Sequence, residues 1–148
     1  MKRILVGLDG SARAPAVLDA AVKLAKRQGA RVVLMRGVGL PPDVPQDFWR
    51  TTEEPLLDVL KRRAKEYLEG CVAKVPQDCF GGIEIAVGVP WQAICEMARS
   101  VDADVVVIGS HGYSGFDRLL GTTAAKVVNH APCTVVVVRE HTEKKQES

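Results

Sequence analysis

Residues 4–38 read ILVGLDGSARAPAVLDAAVKLAKRQGARVVLMRGV, an apolar run, a helical pattern and a second apolar run in succession. The triplet at 4–6 is short and uniformly apolar, which is typical of a strand buried on both faces. From 11 to 28 the apolar residues recur at helical spacing, and Ser11 is the expected N-cap. A second apolar run, Val32 to Met35, lies within the second predicted strand, 31–38. This stretch therefore predicts two strands joined by a helix.

The alternation continues along the rest of the chain. Prolines predict a loop from Pro41 to about Thr52, followed by a helix over roughly 53–74. The remaining predicted elements are a strand over 83–87, a short helix from Pro90, a strand over 104–109, a helix over 122–130 and a strand over 134–138. Crossovers through a helix make neighbouring strands parallel. We therefore expect an α/β fold with an open, doubly wound five-stranded parallel sheet, Rossmann-like, in the order 3-2-1-4-5, with helices on both faces.

Length and composition limit the classes of protein. With 148 residues, 47% of them hydrophobic, the chain suits one domain over 1–148 that ends in a polar tail at 140–148. A net charge of +2 is not the concentrated positive charge of a nucleic-acid binder. The longest apolar runs have four residues, whereas a membrane span needs about 20. We expect no nucleic-acid or membrane partner.

The N-terminus and the cysteines predict a cytoplasmic location. Asp9 interrupts the apolar region that a signal peptide would require. The four cysteines form no CxxC pair and lie among apolar residues, which is typical of buried thiols in a reducing compartment. No metal site and no disulfide are expected.

In open parallel sheets, ligands bind beyond the carboxyl ends of the strands. That rule selects 7–11, 36–39 and the segment from 109 to 123, GSHGYSGFDRLLGTT. Glycines let several backbone N–H groups converge on a phosphate, and a helix N-terminus favours negative charge. The same glycines would also suit a tight loop without a ligand. The chain has neither a P-loop motif nor a GxGxxG turn after its first strand.

Three motifs carry a family resemblance. Gly109-x-x-Gly112 followed by Gly121-Thr122 closely resembles the ATP-binding signature of the universal stress protein family. The opening at 4–11 and the close at 130–138 resemble the same family, and the resemblance covers 2–139. It implies a cytoplasmic regulatory module of the stress response that binds ATP, with AMP or ADP as alternative ligands, together with Mg²⁺.

The resemblance also implies a set of binding residues. They are Asp9 near the nucleotide, Gly37 and Val38 on the adenine through backbone groups, Ile108 and Gly109 along the adenine and ribose, His111 within the signature, and Gly112, Gly121, Thr122 and Thr123 on the phosphates. The segment from Tyr113 to Leu120 is one residue shorter than the family's usual spacing. This shortening would re-aim the phosphate loop unless Gly115 absorbs it.

Two other functions remain open: a dimeric interaction module that binds no nucleotide, and a slow ATP hydrolase. No residues stand out as catalytic, because no acid, base or nucleophile has an evident activating partner. The fifth strand is apolar at consecutive positions and belongs at a sheet edge, where a second copy could pair with it. Family dimers are similar, so we expect a homodimer through this strand. The sequence points to no particular client protein.

Overall fold

The computed structural model describes residues 2–39, 46–110 and 120–139, without the side chains of 46–55. The elements are β1 (Arg3–Gly7), α1 (Ala14–Gln28), β2 (Arg31–Val38), α2 (Gln46–Val72), a 3₁₀ turn (Gln77–Cys79), β3 (Phe80–Val87), α3 (Pro90–Ser100), β4 (Val105–Gly109), α4 (Thr122–His130) and β5 (Thr134–Val138). All strand pairs are parallel, and the order is β3-β2-β1-β4-β5. The predicted fold class and strand order are confirmed.

The core lies in two layers, one on each face of the sheet. Ile4 and Val6 point into the layer covered by α1 and α2, whereas Leu5 points into the layer covered by α3 and α4. Leu5 is fully buried because it faces Val33 of β2 on one side and Val106 of β4 on the other. Each such side chain contributes roughly 1.5–3 kcal/mol through burial. Burial on both faces explains why β1 is apolar at consecutive positions.

The predicted N-cap at Ser11 is wrong, because α1 begins at Ala14 with Arg13 in the cap position. Ser11 belongs to the turn before the helix. Its N–H donates to Oδ1 of Asp9 at 3.0 Å, and its Oγ accepts from the N–H of Arg13 at 3.2 Å. Serine side chains bond nearby backbone groups in turns as readily as in caps, so composition alone could not separate the two roles.

The predicted end of the loop at Thr52 is also wrong, whereas its residues 41–45 lie outside the described residues. Helix α2 begins at Gln46, directly after Pro45, and ends at Val72. Pro55 lies inside α2, a position that is unfavourable in a helix interior. The sequence pattern therefore favoured a helix that starts at about 53, which would place Pro55 in the first turn, where proline is tolerated.

Strand β3 begins at Phe80, before the predicted position 83, and contains a bulge. Phe80 pairs with Val32 and Gly82 with Val33, so Gly81 is the inserted residue. A Cβ at Gly81 would lie 3.1 Å from the carbonyl oxygen of Val32, which explains the glycine. Because adjacent glycines have no side chains to alternate, the sequence pattern missed the first three residues of the strand.

Candidate functional site at the carboxyl edge of the sheet

Three chain segments meet where the central strands end. Strand β1 lies between β2 and β4, and the N–H of Leu8 donates to the carbonyl of Met35 at 3.0 Å, so the pairing continues past the end of β1. Asp9 follows immediately. The carboxyl ends of β2, with Gly37 and Val38, and of β4, with Ile108 and Gly109, flank this position. The structure thus brings these predicted residues to one edge of the sheet.

The turn between β1 and α1 is ordered by side chains. The carboxylate of Asp9 accepts the N–H of Ser11, and Gly10 adopts a φ of +76°. This φ lies in the left-handed region that favours glycine. The side chain of Asp9 is exposed. The turn therefore presents a carboxylate beside the ends of the neighbouring strands.

The end of β2 is closed by the segment that follows β3. Val38 is buried, and its carbonyl accepts the N–H of Gly88 at 3.0 Å. Gly37 is exposed, and a Cβ there would meet no atom within 4 Å. Val87 and Val89 on either side of Gly88 are 44% and 50% exposed, so both present apolar surface beside the end of β2. Sequence reasoning gave neither valine a role in the site.

Beyond β4, one buried residue holds both ends of the glycine-rich segment. Ser110 donates its N–H to the carbonyl of Val138 at 3.0 Å, and its carbonyl accepts the N–H of Gly121 at 3.0 Å. Ser110 is itself buried. His111 and Gly112, predicted for the site, lie outside the described residues. Sequence reasoning gave Ser110 no role, because both of these hydrogen bonds use its backbone N–H and C=O, which every residue other than proline has.

Gly121 is the N-cap of α4. It is buried with φ −67° and ψ 163°, and its carbonyl accepts the N–H of Ala125 at 2.9 Å. Thr122 and Thr123 occupy the first turn, and both are exposed. The first N–H groups of a helix have no intrahelical partner, and the helix dipole makes this end positive. The end of α4 is therefore suited to an anion.

A basic residue that sequence reasoning left without a role lies at the same edge. The guanidinium of Arg36 lies over the ring of Tyr67, with Cζ 4.8 Å from the ring centroid. Burial raises the pKa of the Tyr67 phenol to about 12. Burial is the largest cause of this raised pKa; contact with Cys71 and the charge of Asp9 also contribute to it, whereas the charge of Arg36 opposes it. Arg36, Asp9 and Tyr67 thus form one electrostatic cluster.

Within the described ranges 2–39, 46–110 and 120–139, no three His, Cys, Asp or Glu side chains come together as a group that could hold a metal ion. No helix in this part of the chain combines the length and apolarity that crossing a bilayer requires.

Comparison with known proteins identifies the family. The profile described as "Universal stress protein family" matches residues 1–139. The chain belongs to this family. Among curated universal stress proteins, MJ0531 of Methanocaldococcus jannaschii is 32% identical, with 94% of this chain and 82% of that protein covered. These matches confirm the resemblance drawn from the three motifs.

Solved universal stress protein structures share the fold. The protein UspA from Lactobacillus plantarum superposes with a TM-score of 0.75 at 29% identity, covering 93% of this chain and 97% of that one. A universal stress protein in complex with cAMP has a TM-score of 0.59 at 26% identity, covering 95% of this chain and 98% of that one. At least one structural relative therefore holds an adenine nucleotide.

Proposed function

We propose that this universal stress protein is a cytoplasmic regulatory module that binds ATP at the carboxyl edge of its sheet. The hydrogen bond between Gly121 and Ser110 carries the proposal, because it sets the N-terminus of α4 against the end of β4. There the helix presents N–H groups and the hydroxyls of Thr122 and Thr123 toward solvent. A phosphate chain is the ligand that such an end favours.

The base would lie on the opposite side of Asp9 from α4. The exposed backbone at Gly37 and the exposed side chains of Val87 and Val89 offer a partly apolar place for a purine. The carbonyl of Val38 already accepts one hydrogen bond from Gly88, so the adenine would share this oxygen or use its neighbours. Ile108 and Gly109 would lie along the adenine and ribose, and His111 and Gly112 would complete the phosphate loop.

The choice among nucleotides and the metal ion belong to the same proposal. Mg²⁺ would take oxygen ligands from the phosphates and from Asp9, since carboxylates and phosphates together suit this ion. The relative that holds cAMP supports an adenine nucleotide in this fold. The shorter phosphate loop makes AMP and ADP the direct competitors of ATP.

Thermal unfolding with and without nucleotide tests the proposal. A ligand that binds only the native state adds about 2.7 kcal/mol at 100 times its Kd. For a chain of this size that corresponds to a rise in Tm of roughly 5–10 °C, at 2–4 °C per kcal/mol. We expect this rise with ATP and Mg²⁺, and a smaller rise with ATP and EDTA. No rise with ATP, ADP or AMP would refute nucleotide binding.

Gly121→Val should abolish the rise, because a β-branched side chain would stand where the phosphates approach. Gly70→Val is the matched control, since Gly70 lies near the end of α2 with open space around its Cβ position. A Gly121→Val protein that still responds to ATP would refute the site.

We also expect phosphate release from ATP well below about 1 s⁻¹, the low end of ordinary enzymes. Turnover inside that range would favour the hydrolase instead.

We also propose a homodimer formed through β5, which would equally serve an interaction module without nucleotide. Strands β3 and β5 form the two edges of the sheet. The edge at β3 is protected by the bulge at Gly81 and by the exposed Glu84, whereas Thr134–Val138 carries neither a charge nor a proline. A second copy would satisfy the outward N–H and C=O groups of β5 across a two-fold axis.

A further inference from the structure

Arg36 connects two elements that are distant in the sequence. It lies near the end of β2, and its guanidinium contacts the turn after β1 and the ring of Tyr67 on α2. Its side chain points to the face of the sheet that α1 and α2 cover, since Leu34 two residues earlier belongs to that core layer. The position leaves the side chain half-buried.

The guanidinium takes the space that a side chain at position 10 would need. A Cβ built on Gly10 would collide with Nη1 of Arg36 and lie 2.9 Å from its Cζ and 3.0 Å from its Nη2. Gly10 also has a positive φ, so the absence of a side chain serves both the backbone and the arginine. The planar group thus lies against the peptide that directly follows Asp9.

The ring of Tyr67 fixes the other side of this contact. Tyr67 packs against the core layer under α1 and α2, next to the fully buried Leu68. A cation over an aromatic face is attracted to it, and arginine is the usual partner because its plane can stack on the ring. The ring is therefore a fixed platform for the guanidinium.

We propose that Arg36 is a positioning residue of the nucleotide site. By contacting Gly10 and Tyr67 together, it ties α2 to the β1–α1 turn and holds the carboxylate of Asp9 in its place at the sheet edge. The consequence for ligands rests on the proposed nucleotide function, whereas the contact itself belongs to the unliganded protein. A direct contact between Arg36 and a phosphate is the competing role.

Four variants separate these roles by ATP affinity, measured calorimetrically at a temperature where every variant is folded. Arg36→Ala and Tyr67→Leu should each weaken ATP binding by roughly tenfold, the cost typical of losing a supporting contact. Tyr67→Phe keeps the ring and should bind as wild type does. Arg36→Lys should not rescue binding, because an ammonium keeps the charge without the planar contact.

The double variant Arg36→Ala/Tyr67→Leu should bind no more weakly than either single variant, because both remove one contact. If Arg36 touched phosphate directly, Arg36→Ala would weaken binding and Tyr67→Leu would not. That result, or wild-type affinity in Arg36→Ala, overturns the positioning role. Changes confined to unfolding in urea would mark a purely structural contact and overturn it equally.

Failure of the proposed function is recognised separately. If the wild type binds no nucleotide, the ATP proposal fails, and the wild type, Arg36→Ala, Tyr67→Leu and the double variant are compared by urea unfolding alone. The effects of Arg36→Ala and Tyr67→Leu on unfolding should then be non-additive. Additive effects would show that the two residues act independently and would overturn the contact as well.

Discussion

At the scale of single residues, Gly10 is subject to a backbone constraint and a steric constraint, whereas Gly29 is subject to the backbone constraint alone. Both have positive φ, +76° and +63° respectively. Gly29 follows α1, and a Cβ there would meet nothing within 4 Å, whereas at Gly10 it would meet the guanidinium of Arg36. The two glycines therefore share the backbone cost of substitution but not the steric one.

Replacing each of them by alanine should show this difference in urea unfolding. Gly29→Ala should cost about 1–2 kcal/mol, the penalty of a left-handed backbone for an L-residue. Gly10→Ala should cost more, because Arg36 must also move. In an Arg36→Ala background the two substitutions should cost the same. Equal losses in the wild-type background would contradict the contact between Gly10 and Arg36.

Tyr67 makes a second prediction at this scale. The folded pKa of about 12 lies above the ordinary phenol value of 10, so above pH 10 the unfolded chain loses its phenolic proton before the native state does. Tyr67 therefore lowers the free energy of unfolding as the pH rises from 10 to 12, and it has no such effect below pH 10. Absorbance at 295 nm reports the ionised phenol.

The chain has two tyrosines, and Tyr113→Phe leaves Tyr67 as the only one. We expect its titration midpoint near pH 12 in the folded protein and near pH 10 in urea. The further substitution Tyr67→Phe should remove the signal and the loss of stability above pH 10. A midpoint near 10 in the folded protein would contradict the burial of this ring.

At the scale of elements, β5 has two kinds of position. The carbonyl of Val138 accepts the N–H of Ser110 after β4, so the backbone groups of Val138, and by alternation those of Val136, face β4. Those of Val135 and Val137 face the free edge. The side chains follow another alternation, with Val136 packed on the α1 side and Val137 on the α4 side.

Proline at these two positions should therefore act differently. Val137→Pro removes an outward N–H, so it should abolish pairing with a second copy and leave the ladder to β4 intact. Val136→Pro removes a hydrogen bond to β4 and should unfold or strongly destabilise the chain. Light scattering should give twice the 16.0 kDa of one chain for the wild type and 16.0 kDa for folded Val137→Pro. A wild type of 16.0 kDa at micromolar concentration refutes the dimer.

At the scale of the whole molecule, the candidate nucleotide site and the edge strand β5 are connected through Ser110. Ser110 joins the end of β5 to the start of the glycine-rich segment and to the N-cap of α4. The two core layers hold the five strands in register, so their carboxyl ends form one fixed edge. The proposed ligand would touch segments that follow β1, β2 and β4. Its binding should therefore stabilise the entire cooperative unit rather than one loop.

The sequence determined the fold class through local periodicity. Short apolar runs separated by helical patterns predicted a parallel doubly wound sheet, and Thr122–His130 and Thr134–Val138 were predicted with their observed bounds. The position of the candidate site followed from topology, since segments after β1, β2 and β4 meet wherever these strands are neighbours. The family followed from motifs of consecutive residues. Each of these signals lies within short stretches of residues, so it can be recognised in the sequence without knowledge of the tertiary structure.

Only the tertiary structure decided the contacts between distant segments. The bulge at Gly81 exists because β3 must align with β2, and no property of the two adjacent glycines specifies that register. Ser11 bonds to Asp9 and to the N–H of Arg13 instead of capping α1. A serine can form either kind of bond, and which one it forms depends on the helix starting at Ala14. Arg36 meets Gly10 and Tyr67 because three elements converge there. Such contacts depend on how elements pack, and packing is a property of the whole chain rather than of any stretch of it.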